Sequence, residues 1–333
     1  MSSYTECAQS PLYAVIDLGS NSFHMLITRQ LADSVQVVDK VKRKVRLASG
    51  LDKNNNLSAQ AMARGLECLS FFAERLQDIP KANIRIVATA TVRLAKNKDE
   101  FLNRANKVLG QKINVLSGEE EAKHIYLGVA HTNCSDKDRL VLDIGGASTE
   151  MIVGSDYQTH VVNSLNIGCV TFNNRFFHNG TISQTALNEA VNAAKSEILP
   201  YVSAYQQFGW KSVLGGSGTM QALAELLMFQ NKPLIISKAF LEQTCQQVLA
   251  FEHIDQISIA GLGSERVPVI VSGLAILKAL FDSFSIDQLQ LSSGALREGL
   301  LYEMIPDSHE LAIRTRTING LIRKFHIDTL HAE

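Results

Sequence analysis

The sequence predicts an α/β protein made of two duplicated domains with a cleft between them, on three observations. Residues 13–28 and 139–154 repeat one pattern: an apolar strand that ends in Asp, a turn of small residues and a second apolar strand. Each copy is followed by a third strand and then by alternating helices and strands, which is typical of α/β domains. The chain has 333 residues, a length that suits two full-sized cores better than one.

The elements of the first half follow from hydrophobic periodicity. Apolar residues at helical spacing predict an amphipathic helix over 59–77. They are Met62, Leu66, Leu69 and Leu76. The other predicted elements are strands over 35–47, Ile84–Ala88 and 113–116, a helix near 99–109 and a helix that opens at Gly118.

The second half repeats this order. The predicted elements are strands near Leu140, near Thr149 and over 159–167, a helix over 184–205, a strand at 213–214, a helix from Thr219, a strand over Gln288–Leu291 and a helix over 295–304. Further helices between 237 and 284 belong to this half alone. A polar, turn-rich stretch at 130–137 predicts the boundary. We therefore expect domain I over 1–130, domain II over 131–306 and the start of a longer helical region, truncated or absent here, over 307–333.

Composition argues against several classes of protein. The net charge is −1, so no basic field predicts binding to nucleic acid or to a membrane surface. The first residues lack the pattern of a secretory signal, and the apolar run nearest to a membrane span, Val267–Phe284, carries Lys278 and Asp282. Five scattered cysteines without CxxC spacing are typical of reduced thiols. We expect a cytoplasmic protein with neither a disulfide framework nor a zinc site.

The two turns of the repeat share a chemistry as well as a position. A tight turn of small residues points backbone N–H groups outward, and such a nest binds anions. Two nests that face each other would clamp a polyphosphate, whereas either turn alone is compatible with an ordinary hairpin. The candidate phosphate-binding residues are Asp17, Gly19, Ser20, Asn21 and Ser22 in the first copy and Gly145, Gly146, Ala147 and Ser148 in the second.

Acids beside these turns suit a metal. Asp17 and Asp143 end the first strand of each copy, and Glu150 follows Asp143 across the second turn. Two carboxylates together with substrate phosphates are a usual Mg²⁺ site. Because His24 stands where the second copy has Glu150, the sequence predicts one metal site, at Asp143 and Glu150, rather than two. The alternative is a solvated Glu150 on an edge strand.

The helix at Gly118 begins with more acids than its geometry requires. Ser117 and Glu120 have the spacing of a capping box, and acids in a first turn favour the helix dipole, which together account for Glu119 and Glu120. Glu121 lies one position past the box, so capping does not explain it. No Gly-x-Ser-x-Gly elbow occurs in the sequence, so a covalent serine route is not expected.

Three further segments lie where α/β sheets place their ligands, at the carboxyl ends of strands. Arg93 follows one such strand and could stabilise a transferred phosphoryl group, or it could pair with an acid. A glycine-rich turn before a helix can bind a further phosphate at the helix N-terminus. This turn contains Gly215, Ser217 and Gly218. In a similar turn at 291–299, Arg297 could bind the ligand, but helix packing could equally require the glycines.

Four cations alternate along the third predicted strand and therefore share one of its faces. They are Lys40, Lys42, Lys44 and Arg46. The opposite face is apolar except for Arg43. This cationic row is either a solvated face or an anion rail that binds the distal phosphates of a substrate.

Seven motifs follow one another in a specific order and spacing. They are VIDLGSNSFHMLI, VATATVR, SGEEEA, LVLDIGGASTE, NIGCVTF, GGSGT and LSSGALREGLLYEM. Together they resemble the exopolyphosphatase/guanosine pentaphosphate phosphatase family from Leu12 onward, and KRKVRLASGL, FAERLQDIP and GGASTE resemble its guanosine pentaphosphate phosphatase branch. The resemblance implies two duplicated actin-like ATPase (ribonuclease H-like) domains with an interdomain cleft. It also matches Glu121 to the general base of the family.

The function implied by the resemblance is Mg²⁺-dependent hydrolysis of a phosphoanhydride, in which pppGpp and water give ppGpp and phosphate. Water activated by Glu121 would attack the terminal phosphorus in line. Exopolyphosphatase activity on inorganic polyphosphate is the near alternative, and an actin-like ATP-dependent kinase or a non-catalytic alarmone-binding module are alternatives of other classes. The expected partner is a small-molecule substrate, without nucleic acid or membrane, and a homodimer stays open.

Overall fold

The computed structural model describes residues 10–31, 34–133 and 137–305. Its strands are β1 (Leu12–Leu18), β2 (Ser22–Leu31), β3 (Ser34–Lys44), β4 (Ile84–Ala88), β5 (Asn114–Val115), β6 (Asp138–Ile144), β7 (Thr149–Ser155), β8 (Gln158–Leu165), β9 (Ser212–Gly215), β10 (Ile235–Ser237) and β11 (Gln288–Leu291). Its α-helices are α1 (Ala59–Arg75), α2 (Ala90–Leu94), α3 (Lys98–Leu109), α4 (Gly118–Thr132), α5 (Cys169–Phe176), α6 (Gln184–Gln206), α7 (Gly218–Phe229), α8 (Lys238–Leu249), α9 (Val267–Phe284) and α10 (Leu296–Met304).

The strands form two mixed sheets of the same design. The first sheet has the order β3-β2-β1-β4-β5, and the second has the order β10-β11-β9-β6-β7-β8. Read from β8, the second sheet repeats the first, with three antiparallel strands followed by two parallel ones, and β10 is added antiparallel at its edge. This ribonuclease H-like topology, present twice, confirms the predicted α/β fold of two duplicated actin-like domains.

Each sheet has a hydrophobic core of its own, formed with helices that cover one face. In the first half α1 and α3 pack together over the sheet, and in the second half α6 packs against α9. Among the described helices, α9 is long and apolar enough to cross a membrane by length and composition. However, 67% of it is buried inside the protein, between α5, α6 and the sheet, so core packing accounts for its apolar sequence.

A third apolar cluster joins the two halves, and α4 and α10 lie at its centre between the sheets. The helical members are Ala122, Ile125, Tyr126, Val129, Ala130, Leu296, Leu300 and Leu301. The two helices cross in backbone contact, because a Cβ on Gly128 would collide with the carbonyl of Ala295 and a Cβ on Gly299 with the carbonyl of His124. Although α10 ends the described chain, it packs mainly on α4 and β1.

The third strand and the short helices differ from the prediction. The strand ends at Lys44 instead of 47, because Arg46 adopts a left-handed backbone (φ 52°) and Val45 and Leu47 turn into the core. Helices α2 and α5 have no predicted counterpart, since 5 and 8 residues give too little periodicity to detect. In the predicted boundary 130–137, α4 continues to Thr132, and 134–136 lie outside the described residues, as do 307–333. The domain limits therefore stay predictions.

The described cysteines are consistent with reduced thiols. Cys68, Cys169 and Cys245 are free and buried. Burial raises the pKa of each thiol to about 11, so these thiols are protonated and unreactive at neutral pH. Cys7 and Cys134 lie outside the described residues.

Candidate active site

A cavity of about 420 Å³ lies between the two sheets, where the carboxyl ends of β1, β6 and β9 meet. Both turns of the repeat line it, together with the start of α7, the start of α10 and one face of β3. The lining residues from the prediction are Asp17, Gly19, Ser20, Asn21, Ser22, Lys40, Lys42, Glu121, Asp143, Gly145, Gly146, Ser148, Glu150, Ser217 and Gly218. Most of the predicted site is thus brought together in one place.

In the first turn, the carbonyl groups are held away from the cavity. The carbonyl oxygen of Ser20 accepts a hydrogen bond from the N–H of Ala48 (2.9 Å), and that of Asn21 accepts from Val45 (3.1 Å) and Arg46 (2.8 Å). In a trans peptide the N–H points opposite to the preceding carbonyl. The N–H groups that follow Ser20 and Asn21 therefore face the cavity.

The second turn is held in the same way by a different element. The carbonyl of Gly145 accepts from the N–H of Cys169 (2.9 Å), and that of Gly146 accepts from Val170 (2.8 Å), both at the start of α5. The N–H groups of Gly146 and Ala147 consequently point into the cavity. The N–H of Gly145 is an exception to the predicted nest, because it closes the turn on the carbonyl of Ser148 at 2.8 Å.

The two turns face each other at close range. A Cβ on Gly146 would lie 2.7 Å from the Cβ of Ser20, so only glycine allows this approach. In the described part of the chain, the N–H groups of Ser20, Asn21, Gly146, Ala147 and Ser148 donate to no protein acceptor. Such paired, unused donors suit the oxygens of adjacent phosphates.

The second hairpin carries two acids on one face. Asp143 and Glu150 are directly opposite in the β6–β7 register, and Oε1 of Glu150 accepts from the hydroxyls of Ser148 and Ser164, each at 2.7 Å. Burial raises the pKa of Asp143 to about 7, and the Glu121 charge adds to this. Burial and the neighbouring Asp143 raise the pKa of Glu150 to about 7. Glu150 is 2% exposed, which rules out the solvated alternative.

The first hairpin differs at the equivalent position. Asp17 faces His24 in the β1–β2 register, and Nη1 of Arg297 lies 2.9 Å from Nδ1 of His24. Burial and the Arg297 charge lower the pKa of His24 to about 2, so its imidazole is neutral. Burial raises the pKa of Asp17 to about 6 against the opposing effect of Arg297.

Glu121 lines the cavity, whereas the two acids before it cap the helix or form an ion pair at the surface. The capping box is confirmed, with Ser117 Oγ accepting from the Glu120 N–H (3.1 Å) and Glu120 Oε2 accepting from the Ser117 N–H (2.7 Å). Glu119 pairs with Lys123 at the surface. Glu121 is 7% exposed, and burial together with the Glu150 charge raises its pKa well above the usual range.

Arg93 holds this carboxylate rather than lining the cavity. Its Nη1 donates to Oε2 of Glu121 (2.9 Å) and to the carbonyl of Leu116 (2.8 Å), and it is absent from the cavity wall. The alternative of pairing with an acid is therefore present in the structure, and the role of Arg93 toward a phosphoryl group stays a prediction. The reason is local: α2 turns the chain away directly after β4, which leaves Arg93 beside the start of α4.

The acids of the cavity fit a divalent cation. Oδ1 of Asp17 is buried without a hydrogen-bond partner, and the clustered carboxylates keep raised pKa values that a cation would lower. No group of three or more His, Cys, Asp or Glu side chains in the described ranges has the spacing of a full metal cage. Asp143 and Glu150 would therefore hold Mg²⁺ together with phosphate and water oxygens, as this ion prefers.

The glycine-rich turn before α7 forms another wall of the cavity. Ser217 precedes the helix, is 5% exposed, and its Oγ has no hydrogen-bond partner. A Cβ on Gly218 would collide with the guanidinium of Arg266, which also lines the cavity. Gly215 packs against Met220 and does not line the cavity.

The cationic row on β3 is split by the structure. Lys40 and Lys42 line the cavity, whereas Lys44 and Arg46 do not. Lys42 is opposite His24 in the β2–β3 register, and burial followed by the Arg266 charge lowers the pKa of Lys42. The strand ends at Lys44, so Arg46 leaves the common face.

The fold and the cavity define an α/β protein of the actin-like class, with a buried carboxylate beside two facing turns. The family model described as the Ppx/GppA phosphatase family matches residues 26–308, and the chain belongs to this family. It is 50% identical over 329 residues to the guanosine-5'-triphosphate,3'-diphosphate pyrophosphatase of Vibrio atlanticus, covering 99% of this chain and 66% of that protein. The protein of the same name from Pseudoalteromonas translucida is 51% identical over 324 residues, covering 97% and 65%.

Solved structures show the same architecture. An exopolyphosphatase from Cytophaga hutchinsonii superposes with a TM-score of 0.80 at 25% identity, over 91% of this chain and 99% of that one. The Ppx/GppA family member of Aquifex aeolicus superposes with a TM-score of 0.74 at 23% identity, over 87% and 96%. The present chain thus matches solved structures over nearly their whole length, whereas it spans just under two thirds of its curated relatives.

Proposed function

We propose that the chain hydrolyses the terminal 5′ phosphoanhydride of guanosine pentaphosphate, converting pppGpp and water into ppGpp and phosphate. The observation that carries the proposal is the buried Glu121 carboxylate beside two facing turns with unused N–H donors. Relatives about 50% identical carry the name guanosine-5'-triphosphate,3'-diphosphate pyrophosphatase, which supports this substrate. Mg²⁺ is the proposed cofactor, and the small-molecule substrate is the proposed partner.

The residues of the chain suggest how the reaction proceeds. The facing N–H groups of Gly146, Ala147 and Asn21 bind the phosphate oxygens and align the chain of phosphates. Glu121, held by Arg93, accepts a proton from water as its oxygen attacks the terminal phosphorus. The bridging P–O bond then breaks in line, and ppGpp leaves.

A bound Mg²⁺ would neutralise phosphate charge and polarise the phosphoryl oxygens. Asp143 and Glu150 would hold it, since their carboxylates are adjacent and partly desolvated. Ser148 and Ser164 orient the Glu150 carboxylate for this purpose.

Release of phosphate from inorganic polyphosphate is a second candidate function. Lys40 and Lys42 at the cavity wall suit a long polyanion, and a structural neighbour is titled an exopolyphosphatase. The ATP-dependent kinase and the non-catalytic alarmone-binding module stay the alternatives of other classes. The proposed setting is the cytoplasm, without nucleic acid or membrane, and a homodimer is compatible with it.

Phosphate release separates these candidates. The purified chain is incubated with Mg²⁺ and pppGpp, a long polyphosphate or ATP, and kcat/KM is compared for each. The proposal requires the highest kcat/KM for pppGpp. A higher value for polyphosphate would assign the exopolyphosphatase function, transfer to an acceptor instead of water would indicate a kinase, and binding without release would indicate an alarmone-binding module.

A further inference from the structure

The first hairpin lacks the second acid of the other hairpin, and an arginine from far along the chain stands beside it instead. His24 faces Asp17 in the same register in which Glu150 faces Asp143. Nη1 of Arg297 lies 2.9 Å from Nδ1 of His24, although the two residues are 273 positions apart. Because a guanidinium only donates, His24 Nδ1 is the acceptor and the ring proton is on Nε2.

The packing of two helices fixes the position of this arginine. Arg297 is the second residue of α10, and α10 crosses α4 in backbone contact at Gly128 and Gly299. The N–H of Ala295 donates to Oε2 of Glu298 at 2.9 Å, which caps the helix start. Since α4 also carries the proposed base, the base and Arg297 lie on one rigid pair of helices.

The guanidinium has donors left for a ligand. In the described part of the chain, Arg297 makes one hydrogen bond, to His24, and no ion pair, whereas a guanidinium has five N–H donors. It lines the cavity beside the first turn, and its charge favours the ionised forms of Asp17 and Asp143. An arginine with free, oriented donors at a phosphate-binding turn matches the geometry of phosphate recognition.

We propose that Arg297, oriented by His24, is a catalytic residue that binds the phosphate oxygens on the first-turn side of the cavity. The first hairpin then has a fixed guanidinium where the second hairpin has a pair of metal-binding acids, and the chain binds one divalent cation instead of two. His24 is a positioning residue. The inference rests on the proposed phosphoanhydride hydrolysis and adds to it the group that stabilises phosphate charge opposite Asp143 and Glu150.

The first test removes the guanidinium. Arg297→Ala should lower kcat with pppGpp by about 10²- to 10³-fold, the effect of losing one fixed donor to developing charge, and added guanidinium ions should restore part of the loss. Arg104→Ala, which removes an exposed arginine paired only with Glu100, is the matched control and should change nothing. Wild-type kcat and KM in Arg297→Ala would overturn the proposal, as would a loss that guanidinium does not restore in a protein of unchanged Tm.

The second test keeps Arg297 and changes what orients it. His24→Asn retains an acceptor near the Nδ1 position and should stay close to wild type, whereas His24→Leu removes the acceptor and should lower kcat about tenfold or more. Equal activity in the two variants would contradict the positioning role. If Arg297→Ala lowers Tm, Arg297→Lys keeps the charge and stem, and full activity in that variant would overturn the requirement for an oriented guanidinium.

Binding measurements separate this inference from the proposed function. Calorimetry should show weaker ppGpp binding to Arg297→Ala than to Arg104→Ala, and Mn²⁺ titration of the wild type should give one ion per chain. If the wild type releases no phosphate from any substrate, the proposed function fails, while unchanged ppGpp binding in Arg297→Ala would independently overturn the role of Arg297. Binding of two Mn²⁺ ions per chain would contradict the proposal that the Arg297 guanidinium takes the place of a second metal ion.

Discussion

The two turns of the repeat have similar backbones and different side-chain chemistry. In both turns, carbonyl groups accept hydrogen bonds from backbone N–H groups further along the chain. The donors include Ala48 in the first copy and Cys169 in the second. On the returning strand, however, the first copy has the neutral His24 and the second has the acid Glu150. The duplication thus preserves the backbone of the proposed phosphate-binding turn, while single side chains decide where the charges lie.

The largest expected difference between the hairpins appears when their aspartates are changed. Asp143→Asn removes a proposed Mg²⁺ ligand and should lower kcat with pppGpp by about 10³-fold. The matched change Asp17→Asn should cost about tenfold, as for a group outside the metal's own ligands. Activity is measured over a Mg²⁺ titration, and equal losses in the two variants would show that the hairpins are equivalent.

The proposed base, Glu121, gives the next effect. Glu121→Gln keeps an acceptor for Arg93 but cannot take a proton, so kcat should fall by about 10²- to 10⁴-fold while ppGpp binding persists. Glu119→Gln, which changes an exposed acid two positions earlier, is the matched control and should retain full activity. Turnover that survives in Glu121→Gln would refute the assigned base.

A smaller effect is expected on the strand beside the first hairpin. Lys42→Gln should raise KM for pppGpp about tenfold with kcat unchanged, because we expect the lysine to bind phosphate equally before and during the reaction. Lys44→Gln, two residues on and outside the cavity, should leave KM unchanged. If both variants raise KM alike, the cationic row acts through its overall field instead of through contact.

The smallest effect is a shift of Tm with pH and Mg²⁺. Folding raises the pKa of Asp143 and Glu150 from 3.8 and 4.5 to about 7, so the folded state binds more protons than the unfolded state. Without metal, the free energy of unfolding should therefore fall as pH rises from about 4 to about 7.

Mg²⁺ should offset that cost only where the acids are ionised. Calorimetric scans should show Mg²⁺ raising Tm at about pH 8 and hardly at about pH 5, since bound ligand stabilises the folded state by mass action. The pH dependence of this shift should vanish in Asp143→Asn. An equal Tm shift at both pH values would place the cation away from these carboxylates.

Local sequence signals are sufficient for the repeated part of the molecule. Residues close together in the sequence form the hairpins, the Glu121 helix and its capping box, and their spacing sets the geometry of each. Because the two copies share one pattern, aligning them is enough to place His24 opposite Asp17. The two turns that face each other across the cavity follow from the same repeat.

Contacts between distant segments are not predictable in this way. The bond between His24 and Arg297 spans 273 positions, and Arg266 reaches the cavity from the loop before α9, where no motif marks it. The strand before Arg93 favours a place for it in the cavity, but the short helix α2 turns it toward Glu121. In each case the packing of whole elements, which single-residue patterns do not encode, decides the partner.

The crossing of α4 and α10 has a consequence for biosynthesis. Until α10 emerges from the ribosome, the apolar side chains of α4 at Ile125 and Val129 lack their cover. The first half has a core of its own, so we expect that core to form before residues 295–305 dock on α4. Domain-by-domain folding during synthesis would then end with a docking step, in which the last described helix completes the apolar cluster between the two sheets.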